Sequence, residues 1–162
     1  PHHRPMRDAY LEPSLDRLSR WERRGEGERV ADLKAELRRL MEEHCGVFRD
    51  QATMAEGVEK LKGLRARVEN ARLRDHSQTF NTARIEALEL DNLVDVGMAT
   101  LMSALHRDES RGAHSRVDHP ERDDERWLKH SLYLRDGDRM DYKPVRTKPL
   151  TVDSFPPKPR VY

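Results

Sequence analysis

What this sequence has little of narrows it before any motif does. No apolar run approaches the ~18 residues of a membrane-spanning helix, and no export signal is visible, so the chain is expected neither to cross a bilayer nor to direct its own export. Its one cysteine, Cys45, excludes an internal disulfide and fits a reducing compartment. Charge of one sign is missing too. Lys and Arg total 31 against 30 Asp and Glu, so no net field draws nucleic acid or an anionic lipid surface. Aromatics are scarce, and the arginine-bearing stretch Ala52 to Arg74 holds none on which a base could stack; Arg65, Arg67 and Arg72 alternate there with Glu59 and Glu69 as a solvated face does. Also absent are a Gly-x-Gly-x-x-Gly after a strand, a Walker lysine loop, a paired cysteine motif and a Ser, His and Asp set at informative spacing. The chain alone therefore offers no usual dinucleotide site.

What is present is charge and helical periodicity. With 38% charged and 35% hydrophobic residues, the 162-residue chain suits a helical bundle with a solvated surface. Residues 1 to 13 carry three prolines and the His2-His3 pair, and read as an irregular leader rather than a metal site. Opening on Pro1 rather than Met, the sequence is expected to be a piece of something longer. Ser14 is the expected cap of a short helix bearing Leu15, Leu18 and Trp21, closed by Gly25 and Gly27. A longer helix from Glu28 places Val30, Leu33, Leu37, Leu40, Met41 and His44 on one face. The next, from Ala52, does the same with Met54, Val58, Leu61 and Val68. Asp75 to Asn81 is a polar connection with Phe80 as its apolar anchor. Thr82 is the expected cap of the last helix, with Glu86 near the capping-box position. There Ile85, Leu88, Leu90, Leu93, Val94, Val96, Met98 and Leu101 run around most of the circumference, which predicts a central helix contacted on several sides.

The fold expected is mainly α: an antiparallel three-helix bundle, spectrin-repeat-like, with a short extra N-terminal helix. A polar loop, a small β-hairpin and an extended proline-rich tail follow. Residues 14 to 108 form the bundle and 109 to 162 the loop, hairpin and tail. In the loop, Arg111 can clamp a carboxylate, a carbonyl group or a phosphate, or close a helix-end ion pair with Glu109 or Asp118. His106, His114, His119 and His130 lack a compact ligand spacing, so no metal is assigned. Trp127 to Leu134 alternates as a strand, Asp136-Gly137-Asp138 turns, and Asp141 to Val145 returns. Beyond it Pro144, Pro149, Pro156, Pro157 and Pro159 enforce extension, with Phe155 and Tyr162 expected to pin the tail to a surface.

The order Glu109-Ser110-Arg111-Gly112-Ala113-His114, then Asp118-His119-Pro120-Glu121-Arg122-Asp123-Asp124, then Trp127-Leu128-Lys129-His130 closely resembles the C-terminal region of the succinate dehydrogenase and fumarate reductase flavoprotein subunits. So does Asn81 to Leu93, and the likeness runs from Ser14 to Tyr162. Related aspartate oxidases carry a similar Ser-Arg-Gly element, while the Arg122-Asp123-Asp124 and Trp-Leu-Lys-His segments favour the succinate and fumarate branch. The resemblance implies a subunit that interconverts succinate and fumarate by hydride transfer with a covalently held FAD and passes electrons to an iron–sulfur subunit. The family's flavin-binding and catalytic residues lie N-terminal to this region, so none is carried onto a position here and this chain alone is expected to bind no FAD and to be inactive. Expected partners are the flavin-binding domain of the same subunit and the iron–sulfur subunit, with no nucleic acid and no direct membrane insertion. That places the chain on the cytoplasmic side of the inner membrane through partner subunits, or in the cytoplasm. Arg111, Gly112, His114 and Asp118 are the expected contact surface. Two readings of other classes stand beside it: a free-standing helical adaptor using its bundle faces and tail, and a metal-dependent enzyme built on the loop histidines.

Overall fold

Three helices take nearly all the apolar surface. In the computed structural model, which describes residues 5, 7–155 and 158, these are α2 (Val30–His44), α3 (Gln51–Glu69) and α4 (Thr82–Leu105), preceded by α1 (Glu12–Arg20). Leu33, Leu37 and Leu40 of α2, Met54, Leu61 and Leu64 of α3, and Leu90, Met98 and Leu101 of α4 are buried together, as their three- and four-residue spacing requires. Ion pairs fix the directions. Arg67 near the end of α3 meets Glu28 and Glu36 near the start of α2, whereas Lys34 and Glu89 join the starts of α2 and α4. The bundle therefore runs up, down, up.

Gly57 lets α3 approach α2 closely: a Cβ there would stand 2.4 Å from Cβ of His44. His44 itself is buried, its Nδ1 3.0 Å from the Thr53 carbonyl oxygen and its Nε2 3.1 Å from Nζ of Lys60. Lys60 can only donate, so Nε2 accepts and Nδ1–H donates to Thr53.

Several boundaries differ from the sequence expectation. Helix α1 starts at Glu12 with Pro13 in its first turn, because proline tolerates that position without its N–H; Ser14 is inside the helix rather than its cap. Of its apolar residues only Trp21, just past its end, is buried, and Leu15 and Leu18 face outward. Trp21 Nε1–H donates to Asp91 of α4 at 2.9 Å, and Arg20, stacked 4.2 Å over the indole, pairs with the same carboxylate. This polar anchor seats α1 where apolar packing does not. Asp50, not a residue of the helix proper, caps α3 by accepting the Thr53 N–H, and Asn81, not Thr82, caps α4 by accepting the Arg84 N–H. Phe80 is 98% exposed with a left-handed φ of 51° and anchors nothing.

After α4 come β2 (Ser115–Arg116), α5 (Asp124–Trp127) and a hairpin of β3 (Lys129–Leu134) and β4 (Arg139–Pro144), paired from Lys129 with Pro144 to Leu134 with Arg139. The expected strand starts two residues late, at Lys129, because Trp127 closes α5, which Asp123 caps by accepting the Arg126 N–H. Asp138 at the hairpin turn pairs with Arg65 of α3 at 2.6 Å, tying hairpin to bundle. Strand β1 (Phe48–Arg49), in the α2–α3 connection, pairs in parallel with β2. Phe155 is 87% exposed and pins no tail to a surface, while Tyr162, Pro156, Pro157, Pro159 and the His2-His3 pair lie outside the described residues. Among the described residues, no helix is long and apolar enough to cross a membrane.

Candidate functional site

Helix α4 ends at Leu105, and its unsatisfied carbonyl groups meet Arg116. The fully buried guanidinium donates from Nη1 to the carbonyl oxygens of Ala104, Leu105 and Arg107 at 3.4, 3.2 and 3.3 Å. A cation here neutralises the negative end of the helix dipole. Its other edge makes two 2.7 Å bonds to the Asp118 carboxylate and reaches Oε1 of Gln51 at 3.1 Å. The Arg116 guanidinium holds the Asp118 carboxyl far below the usual carboxylate range. Asp118 also accepts the Gln51 N–H, so loop, helix α4 and the start of α3 share one charged node.

A second node centres on Glu109, which is shut off from solvent although it lies close beneath the surface. Burial opposes its charge, but Arg111, the Asp123 N–H and Arg107 outweigh that and lower its pKa. Arg111 donates Nε to Oε1 at 2.8 Å and Nη2 to Oε2 at 3.0 Å, and Nη2 also reaches Asp124 at 2.6 Å. Of the roles open to Arg111, the structure fills the ion pair with Glu109; Asp118 belongs to Arg116. Arg107 meets Glu109 at 2.5 Å and donates to the carbonyl oxygens of Trp127 and Lys129, which holds α5 and β3 against the end of α4.

Between the nodes the chain reverses over Arg111 to His114, whose backbone groups exchange bonds of 2.8 and 3.0 Å. Gly112 has φ +60°, a conformation that strains any side chain. The turn aims His114 inward. Arg49 donates to its Nδ1 at 3.0 Å, so Nε2 carries the proton and donates to the Arg107 carbonyl oxygen at 3.1 Å. Burial lowers its pKa, and the neighbouring cations Arg49, Arg116 and Arg107 add to that against the Arg107 carbonyl bond.

The four residues singled out from the sequence therefore fall along one loop but not in one contact. Gly112 and Asp118 are exposed, Arg111 and His114 half-buried. The sequence reading passed over Arg107 and Arg116, the two residues that organise the loop. Arg107 stands two residues past the end of an apolar helix, where carbonyl groups need donors, and that is the signal that could have found it; Arg116, eleven residues past that end, carries no such mark in the sequence. The loop histidines are spread out: His106 bonds back to Met102 of its own helix, His119 faces Asp108 at 3.9 Å, and His130 lies on β3. Among the described residues no three His, Cys, Asp or Glu side chains come together as a ligand set.

Beside the loop, α4, α5 and β3 enclose an open cleft of about 670 Å³, walled by Val96, Ala99 and Ala104 on one side and by Arg107, Trp127 and Lys129 on the other.

The family described as "Fumarate reductase flavoprotein C-term" matches residues 34–162. The succinate dehydrogenase flavoprotein subunit of Coxiella burnetii is 51% identical over 158 residues, covering 98% of this chain and 27% of that protein. The fumarate reductase flavoprotein subunit of Mycobacterium tuberculosis is 43% identical over 139 residues, 84% of this chain and 23% of that protein. A solved structure of E. coli quinol fumarate reductase FrdA superposes with a TM-score of 0.80 at 35% identity, covering 92% of this chain and 26% of that one. The chain thus spans about a quarter of the length of the relatives it matches.

Proposed function

This chain belongs to the fumarate reductase flavoprotein C-terminal family, and from that premise we propose that it acts as the docking domain of a subunit interconverting succinate and fumarate. In that subunit FAD is held, and hydride chemistry done, by the portion N-terminal to this region. Electrons pass on to an iron–sulfur subunit, and the assembly meets the membrane through its other subunits. This domain contributes no catalytic residue. It presents Arg111, Gly112, His114 and Asp118 to the flavin-bearing portion or to the iron–sulfur partner.

The observation that carries the reading is the loop's construction. Two buried charged nodes, at Arg116 and Glu109, fix the 110–118 backbone from within, while Arg111, Gly112 and Asp118 keep exposed edges. A surface held rigid beforehand loses little conformational freedom on docking, which is what a domain interface gains from such internal bracing.

The test is Arg111→Ala in the complete subunit, followed by flavin content, co-purification of the iron–sulfur subunit and succinate-dependent dye reduction. Loss of flavin or of the partner, with the domain still folded, is the expected result. Unchanged assembly, flavin content and turnover would sink the proposal.

A further inference from the structure

The cleft beside the loop has a charge imbalance that the docking role above does not by itself require. Its lining includes four permanent cations, Arg49, Arg107, Arg111 and Lys129, and no carboxylate. Behind the wall, Glu109 serves Arg107 and Arg111, and Asp124 serves Arg111 again. Arg49 donates to the Gly46 carbonyl oxygen and to His114, both neutral acceptors. Lys129 lies 4.6 Å from the Trp127 ring centre and 4.2 Å from that of Tyr142, held by aromatic faces. Among the described residues neither Arg49 nor Lys129 has a carboxylate partner. Positive charge is left over on this wall.

A second observation is independent of charge. Trp127 is 5% exposed, and its Nε1–H is buried with no hydrogen-bond acceptor among the described residues. A buried donor of this kind ordinarily finds a partner. The other tryptophan does so: Trp21 donates to Asp91. An unsatisfied donor and surplus cations on one wall call for an anionic acceptor.

The opposite wall specifies what carries it. Val96 and Ala99 of α4 are apolar, and Val96, 62% exposed, leads out of the cleft to Leu93 at 42%. A small inorganic anion has no use for that wall, whereas a peptide places apolar side chains on one side and an acidic one on the other. We infer that this cleft receives a carboxylate-bearing peptide segment of a docking partner, the carboxylate accepting the Trp127 indole N–H and pairing with Lys129, its apolar neighbours resting on Val96 and Ala99. The inference rests on the docking role and names its chemistry. Because the indole N–H is buried in the free chain, its bond to the carboxylate forms only as a neighbouring side chain shifts aside.

The two tryptophans make the test direct, because each indole N–H gives its own resonance and Trp21 serves as the internal reference. The chain, labelled with ¹⁵N-tryptophan, is titrated with the blocked tripeptide acetyl-Leu-Glu-Leu-amide, with its glutamine counterpart, and with inorganic phosphate. The expected result is a saturable downfield shift of the Trp127 indole proton with the glutamate peptide alone, while Trp21 stays in place. Lys129→Ala should weaken that binding about tenfold, the scale of one charge-assisted hydrogen bond, with an unmoved Trp21 resonance showing that the fold is kept. Lys129→Gln provides a second, milder variant. Equal binding of the glutamine peptide, equal competition by phosphate, or a Trp127 resonance that never moves would each overturn the inference. None of these outcomes bears on Arg111→Ala in the complete subunit, so the two ideas fail separately.

Discussion

Glu109 shows how much depends on single charged groups here. Its carboxylate is wholly covered, shared between Arg107 and Arg111, and bonded to the Asp123 N–H at 2.9 Å. Replacing it with alanine leaves Arg107 without a counter-ion and Arg111 with Asp124 alone, and stranding one buried charge costs about 3 kcal/mol. Urea unfolding of Glu109→Ala should show a loss of that order; a change under half a kcal/mol would mean that the arginines find solvent instead. Titration gives a second check. The pKa of Glu109 is lowered in the folded state, and Arg65 holds Asp138 down at about 2. The folded form therefore binds fewer protons than the unfolded chain, so the stability these carboxylates contribute is present above their unfolded pKa near 4 and is lost as pH falls toward 2. His114 has the same sign at higher pH: its pKa is lowered by burial first, so its protonation opposes folding below the unfolded value near 6.5. Melting temperature should thus decline in two stages on acidification. His114→Gln should remove the upper stage, and an unchanged profile in that variant would exclude His114 as its source.

Among the elements, helices were readable from sequence to the degree that their apolar residues recur at helical spacing. Val30 to His44 and Met54 to Val68 announced both the helices and the faces they bury. Their caps were less legible, since Asp50 and Asn81 are marked by backbone geometry that several neighbouring polar residues could equally supply. Phe80 looked like an anchor because large apolar residues usually are, and the left-handed turn it occupies faces it outward. The β1–β2 pairing was invisible: two residues meeting two others some sixty-seven positions later leave no periodic trace. In the loop, charge density at the end of a rigid helix brought attention to Arg111 and His114, whereas Arg116 disappeared among other surface-type residues although it is fully buried. Helix α3 carries a sharp test of packing against propensity. Gly57 and Gly63 both lie inside it, where alanine is intrinsically favoured by ~1 kcal/mol. A Cβ at Gly63 meets nothing within 4 Å, so Gly63→Ala should stabilise by about that amount. At Gly57 the same methyl lies 2.4 Å from His44 and 3.2 Å from Leu101, so α2 and α3 must separate and Gly57→Ala should destabilise by ~1–3 kcal/mol. Equal effects of the two changes would show that the α2–α3 contact yields freely.

At the scale of the whole molecule, the feature that asks for a partner is α4. Its apolar residues run around most of the helix, as a fully surrounded element would have them, yet the bundle covers only part of it: Ile85 is 58%, Leu93 42% and Val96 62% exposed. These three share one side, at spacings of eight and three residues, and that side leads into the cleft lined by Trp127 and Lys129. An apolar stripe that a domain does not bury for itself is normally buried by something else. Relatives roughly four times the length of this chain supply a large candidate surface in the remainder of the subunit. If the stripe is that interface, its residues contribute to assembly and little to the domain's own stability. Val96→Lys should then leave the melting of the isolated chain almost unchanged, within ~0.5 kcal/mol, because the lysine stays solvated. In the complete subunit the same ammonium would be buried unpaired against an apolar surface, and the domain should detach or become open to limited proteolysis. Leu33→Ala, a fully buried residue of α2, reverses the pattern, costing ~2–5 kcal/mol in the chain alone. Should Val96→Lys instead unfold the isolated chain, the stripe belongs to this domain's own packing; should it leave both forms intact, the partner surface lies elsewhere.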